Sequence, residues 1–129
     1  MCRLYLIRHG ETEWNVAGKI QGHEDSPLTK KGLDQARQAA QQFKDHHFAA
    51  VFSSDLIRAQ RTAEIIAAEH QLTVQTTQFL REKAYGKFAG LKFPDFKKKL
   101  KNNWRSFANY QTSKNLHLNW TKTWKATQR

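Results

Sequence analysis

Leu4-Tyr5-Leu6-Ile7-Arg8-His9-Gly10-Glu11-Thr12-Glu13-Trp14-Asn15 is the stretch from which the rest of the chain is read. Four consecutive apolar residues, rich in strand formers, end in a cation, an imidazole and a glycine. A short uninterrupted apolar run predicts a strand over residues 3–8, buried on both faces as in a parallel sheet. In open α/β sheets, ligands bind just beyond the carboxyl ends of such strands, and that is where Arg8 and His9 fall. Gly10 lets the backbone turn sharply and approach a ligand closely. Arg8 offers a planar fork that suits a phosphoryl group. The neutral imidazole of His9 can attack phosphorus. As a bare dipeptide, Arg8-His9 could equally be a loop cation beside a solvated histidine.

Further along, the chain alternates helical and strand signals. Residues 10–28 read as a loop in which Asn15 can donate to a phosphate or substrate oxygen. Thr29 is a good N-cap for an amphipathic helix over residues 30–45, where Leu33, Ala36, Ala40 and Phe43 recur at spacings of three and four. Residues 49–53 predict a second short strand, so strand, helix and strand would form a right-handed parallel crossover. Ser53-Ser54-Asp55-Leu56-Ile57-Arg58-Ala59-Gln60-Arg61-Thr62-Ala63 then enters a helix. Ser54 or Asp55 could cap it, and Leu56, Ala59, Ala63 and Ile66 would form its buried stripe. Arg58, one turn in, can reach back over the strand ends, while Arg61 reads as a surface or supporting residue. A third strand is expected at 72–77, followed by Leu80-Arg81-Glu82-Lys83-Ala84-Tyr85-Gly86-Lys87-Phe88-Ala89-Gly90. Phe93, Phe96, Leu100 and Trp104 suggest a basic helix over 92–105.

Arg8 to Asn15 resembles the signature of the histidine phosphatase superfamily, the phosphoglycerate mutase-like proteins, over eight contiguous residues. The 53–63 and 80–90 stretches resemble that family's second and third motifs, although Ala89 stands where the family often has glutamate. The resemblance implies a three-layer α/β/α fold with a mainly parallel central sheet. It implies His9 as nucleophile, Arg8 and Arg58 as phosphoryl clamps and Glu82 as proton donor. It also places Gly10, Asn15, Gln21, Gly22 and Tyr85 around the substrate, a phosphorylated small molecule, with no cofactor required. On residues alone, Asn15 and Gln21 are ordinary loop polarity, Arg58 a helix cation and Glu82 half of a surface ion pair with Arg81 or Lys83.

Composition sets the bounds. The 129 residues are 39% hydrophobic and 26% charged, which suits one globular domain. No apolar run reaches membrane-spanning length and the start lacks a signal-peptide pattern. A single cysteine, Cys2, allows no internal disulfide and points to a cytoplasmic setting. No histidine pairs with carboxylates at ligand spacing, so no metal is expected. The net charge of +11 is uneven: residues 1–95 carry 13 Lys/Arg against 11 Asp/Glu, whereas residues 96–129 carry 9 Lys/Arg and no acid. The expectation is therefore a phosphoglycerate mutase-like core over 1–95 and a basic segment over 96–129 outside the family pattern.

The family's C-terminal strand and second catalytic histidine have no counterpart here. His117, in Asn115-Leu116-His117-Leu118-Asn119, lacks the strand and the turn. A truncated or frame-shifted family member is the simplest account. It would leave Leu4–Ile7 as an apolar sheet edge, exposed to dimerisation or cover by the tail. Three functions stay open: phosphoryl transfer through phosphohistidine, binding of a phospholigand without turnover, and nucleic-acid binding by the basic, Trp-containing tail. The last has no binding motif behind it, and a solvated tail is the plainer reading.

Overall fold

The computed structural model describes residues 2–102. Helix α1 (Glu13–Val16) is a single turn. Helix α2 (Lys30–Phe43) follows a loop, then strand β1 (Val51–Ser54), helix α3 (Ile57–Ala68), strand β2 (Val74–Thr77) and helix α4 (Phe93–Asn102). Met1–Phe96 forms one compact unit. The two strands pair in parallel, Val51 with Val74 through Ser54 with Thr77. A parallel pair needs a crossover connection, and α3 supplies it.

Helix α2 forms as its sequence dictates. The Thr29 side chain accepts from Gly32 N, Ala36 and Ala40 are buried, and the helix ends at Phe43, two residues earlier than expected. Gly32 is required by packing. A Cβ there would lie 2.0 Å from Glu11 O, and one on Gly10 would lie 2.3 Å from Gly32 O. The loop after Arg8-His9 and the first turn of α2 thus touch backbone to backbone.

Three expectations are corrected. Residues 3–8 join no strand among the described residues, so the parallel crossover is β1–α3–β2 and not one built on the first apolar run. Leu4, Tyr5, Leu6 and Ile7 are 81%, 38%, 70% and 44% exposed. That alternation marks an extended segment covered on one face only. Its inner face is held by Tyr5, whose ring meets Phe43, His46 and Phe48 edge-on at 5.4–5.5 Å. Hydrophobicity draws residues inward, but it supplies neither a ladder partner nor a second covering layer.

The other two corrections concern α3. Of the expected stripe, Leu56 and Ile66 are buried, but Ala59 and Ala63 are only partly so, and Arg58, Thr62 and Ala67 fill the inner face instead. Its N-cap is Leu56, with no side-chain cap bond. Ser54 Oγ accepts instead from Leu56 N, and Asp55 turns away to a two-pronged ion pair with Arg81. In α4, Phe96 is buried against Tyr85 and Phe88, with ring centroids 5.5 and 5.9 Å away. The Leu100 side chain and residues 103–129, with Trp104, His117 and the expected tail, lie outside the described residues.

Candidate active site

His9 is half-buried, and its Nδ1 lies 2.7 Å from Gly10 O. A carbonyl oxygen only accepts, so Nδ1 carries the proton and Nε2 keeps its lone pair. Arg58 Nε donates toward that lone pair at 3.3 Å. Burial, together with the Arg58 and Arg8 charges, holds the His9 imidazole below its ordinary proton affinity, against opposing effects of Gly10 O and Glu82. Neutral imidazole with an unprotonated Nε2 is the state a nucleophile requires.

Arg58 is 1% exposed. Its Nη1 donates to Glu24 O at 2.9 Å and to Asp25 Oδ1 at 3.0 Å, and Nη2 donates to Gly22 O at 2.7 Å. Glu82 Oε2 lies 3.9 Å from Nη2, on a side chain that is half exposed. A buried guanidinium is tolerable only with its donors matched in this way. Arg8 is exposed, yet near enough to His9 to act on its proton affinity. Arg8, His9, Arg58 and Glu82 therefore converge from three separate segments of the chain.

Other expected residues take different places. Asn15 Oδ1 accepts from Thr12 N and Oγ1, each at 3.0 Å, closing a capping box around α1. Its Nδ2 is the group left to meet a ligand. Gln21 is buried, donating to Thr12 Oγ1 at 2.8 Å and accepting from Ser26 Oγ at 3.2 Å, so both amide ends knit the loop to itself. Gly22 has φ of +65°, and a Cβ there would lie 2.7 Å from both Lys83 O and Tyr85 Cδ2. Tyr85 stands between Glu82 and Phe96; burial and the Glu82 charge push its hydroxyl up from the ordinary value. Gly10 N donates to Thr62 Oγ1 at 3.1 Å. Arg61 pairs at the surface with Glu64.

Asp25, Thr62 and His23 were missed in the sequence. Thr62 Oγ1 accepts from Gly10 N and donates to Arg58 O at 2.8 Å, fastening the His9 turn to α3. His23 Nε2 donates to Glu82 O at 2.8 Å. Asp25 links Arg58 to the start of α3. Its only local signal is the Asp-Ser-Pro string, and the two partners that tie it to α3, Ile57 and Arg58, lie more than thirty residues away.

Among the described residues, no group of three His, Cys, Asp or Glu side chains could hold a metal ion, and no helix is long and apolar enough to cross a membrane. His46, His47 and His70 line a different cavity of about 460 Å³.

Comparison with known proteins gives this geometry a context. The protein named probable phosphoglycerate mutase GpmB from Proteus mirabilis is 52% identical over 82 residues, 64% of this chain and 38% of its own length. The chain thus spans well under half of the curated relatives it matches. Bacillus stearothermophilus YhfR superposes with a TM-score of 0.70 at 33% identity, covering 78% of this chain and 50% of that one. Entamoeba histolytica phosphoserine phosphatase, solved with 3-phosphoglyceric acid, gives 0.63 at 42% identity, covering 69% of this chain and 44% of that one. These neighbours share the phosphoglycerate mutase-like α/β fold. A family model, the histidine phosphatase superfamily (branch 1), matches residues 4–127, well past Gly90, where the motif resemblance faded. With its parallel pair, its Arg-His-Gly turn and that match over nearly all its length, the chain belongs to the histidine phosphatase superfamily, branch 1.

Proposed function

We propose that this chain carries the phosphoryl-accepting half of a phosphomonoester-cleaving site, working through phosphohistidine at His9. The observation that carries the reading is the His9 Nε2 lone pair, left unprotonated by the 2.7 Å bond from Nδ1 to Gly10 O and met by Arg58 Nε at 3.3 Å. Arg8 and Arg58 clamp the phosphoryl oxygens and offset charge as it develops. Nε2 attacks phosphorus in line, the P–O bond to the leaving group breaks, and the Glu82 carboxyl gives its proton to the departing alkoxide. Water then attacks phosphorus, the P–N bond breaks, and the water proton passes to the Glu82 carboxylate. A mutase would return the phosphoryl group to a second hydroxyl.

The small phosphate esters named with the relatives, phosphoserine and 3-phosphoglyceric acid, are the substrate class proposed here. The phosphatase branch is favoured over the mutase by the compact Gln21-Gly22 loop. The sequence offers no recognisable counterpart of the family's second catalytic histidine. A transition state short of one such donor is slowed about 10²–10³-fold, so slow turnover is expected of residues 1–95 acting alone. The setting we propose is cytoplasmic, with the Cys2 thiol free. The open face of Leu4–Ile7 is proposed to pair with a second copy, as sedimentation at rising concentration would test.

The direct test is labelling by an activated phosphate monoester, followed by acid lability and peptide mapping. Label on His9, absent in His9→Ala, supports the reading. Turnover retained by His9→Ala would sink it.

A further inference from the structure

We infer that Asp25 is a positioning residue, holding the Arg58 guanidinium so that its Nε–H faces His9 and its Nη2 lies toward Glu82. The inference rests on the proposed role of His9 and goes beyond it. Arginine has five N–H donors in a rigid plane. Both Nη1 hydrogens are used, by Glu24 O and Asp25 Oδ1, and one Nη2 hydrogen goes to Gly22 O. That leaves Nε–H, against His9 Nε2, and one Nη2 hydrogen, with Glu82 Oε2 as its neighbour at 3.9 Å. In a guanidinium, Nε–H and the nearer Nη2 hydrogen form a fork that spans two oxygens of a phosphoryl group. The back edge is pinned, and the front edge faces His9 and Glu82.

Asp25 differs from the two carbonyls in what its second oxygen does. Oδ2 accepts from Ile57 N, the first residue of α3 and the neighbour of Arg58, at the helix start that lacks a side-chain cap of its own. One carboxylate thus holds Arg58 at both ends: its guanidinium directly, and its backbone through the turn that begins the helix. Asp25 Oδ1 also accepts from Ser26 N at 3.1 Å, which fixes the carboxylate in turn. The charge match is local, since Asp25 and Arg58 form an ion pair with side chains 19% and 1% exposed. A loop shift that moved Asp25 would swing the fork off His9 without touching His9 itself.

The test is a cycle of full-length variants titrated with inorganic phosphate. Asp25→Asn keeps the shape of the side chain but replaces one acceptor oxygen with a donor. It should weaken phosphate binding about 10–100-fold, the range for a hydrogen bond to a charged group. Asp25→Glu should restore part of the loss. In an Arg58→Lys background, adding Asp25→Asn should change affinity by less than about twofold, because the residue acts through the guanidinium fork. Wild-type affinity in Asp25→Asn, or an equal loss in both backgrounds, would overturn the inference. A second readout needs neither phosphate nor a folded variant. The Nη1 hydrogens of Arg58 in the wild-type chain should give separate, slowly exchanging NMR signals, and averaged signals would overturn the inference. If wild type binds no phosphate while those signals stay separate, the proposed function fails and the positioning of Arg58 stands.

Discussion

Arg58 and Leu4 have exchanged the places that hydropathy would assign them. The cation is 1% exposed and the leucine 81% exposed. Arg58 is buried because two carbonyls and a carboxylate were built around it, from a loop that also holds the helix carrying it. Leu4 is exposed because the run it belongs to, though apolar, finds a covering surface on one face only. Burial follows available partners. Transfer free energy favours the inside for any apolar side chain, but it cannot supply a layer to pack against. A buried charge, conversely, is stable where every donor is answered.

The contrast can be broken most sharply at Arg58. Arg58→Met keeps the volume but leaves Asp25 and the carbonyls of Gly22 and Glu24 without their donor. It should cost about 3–5 kcal/mol in urea unfolding, as removal of one member of a buried pair does. A loss under about 1 kcal/mol would mean the cage relaxes into water and the comparison fails. Gly32→Ala should cost about 1–3 kcal/mol, because its Cβ would fall 2.0 Å from Glu11 O and main chain must move. It should also disturb the His9 turn, visible as a shift of the His9 ring resonances.

The third effect is read with pH. Folding lowers the proton affinity of His9 from the ordinary imidazole value of about 6.5, through burial first and the two arginines after. Below pH 6.5 the unfolded chain takes up a proton that the folded chain refuses. Stability therefore falls as pH drops from 6.5 to the folded pKa, and levels off below it. Unfolding of wild type and His9→Gln across pH 7 to 5 should diverge with that sign, the variant losing less. Parallel curves would place His9 in a more solvated setting than its contacts indicate. The smallest effect belongs to the open face: Leu6→Ser should change unfolding free energy by no more than about 0.5 kcal/mol, as at other exposed sites. It should also reduce the concentration dependence of sedimentation. A loss above 1 kcal/mol would show that this face is covered after all.

How far the sequence could be read follows from how local each interaction is. Helix α2 is legible from Thr29 to Phe43 because its cap and apolar spacing lie within the helix itself. Strand β2 falls inside the predicted 72–77 region, and β1 overlaps the predicted 49–53 region, shifted one residue past its end. Arg8, His9, Arg58 and Glu82 were named from motif strings, and the fold brings them together. Gln21 was assigned to substrate, whereas its amide is spent on Thr12 and Ser26. A loop glutamine's direction depends on hydroxyls that sequence spacing does not orient. The α3 stripe was right at Leu56 and Ile66 and wrong at Ala59 and Ala63, because the face that packs inward also carries Arg58 and Thr62.

The string of residues by itself determined the superfamily, the strand and helix order after residue 28, the capping of α2 and the identity of the nucleophile candidate. Each of these is written in short-range pattern: spacing, caps and a contiguous motif. Tertiary structure alone decided which nitrogen of His9 is free, which edge of Arg58 is open, that Asp25 stands behind it, and that Leu4–Ile7 has one bare face. These depend on groups tens of residues apart meeting within about 3 Å, the reach of a hydrogen bond. At that range direction matters as much as identity, and direction is set only when the chain closes on itself.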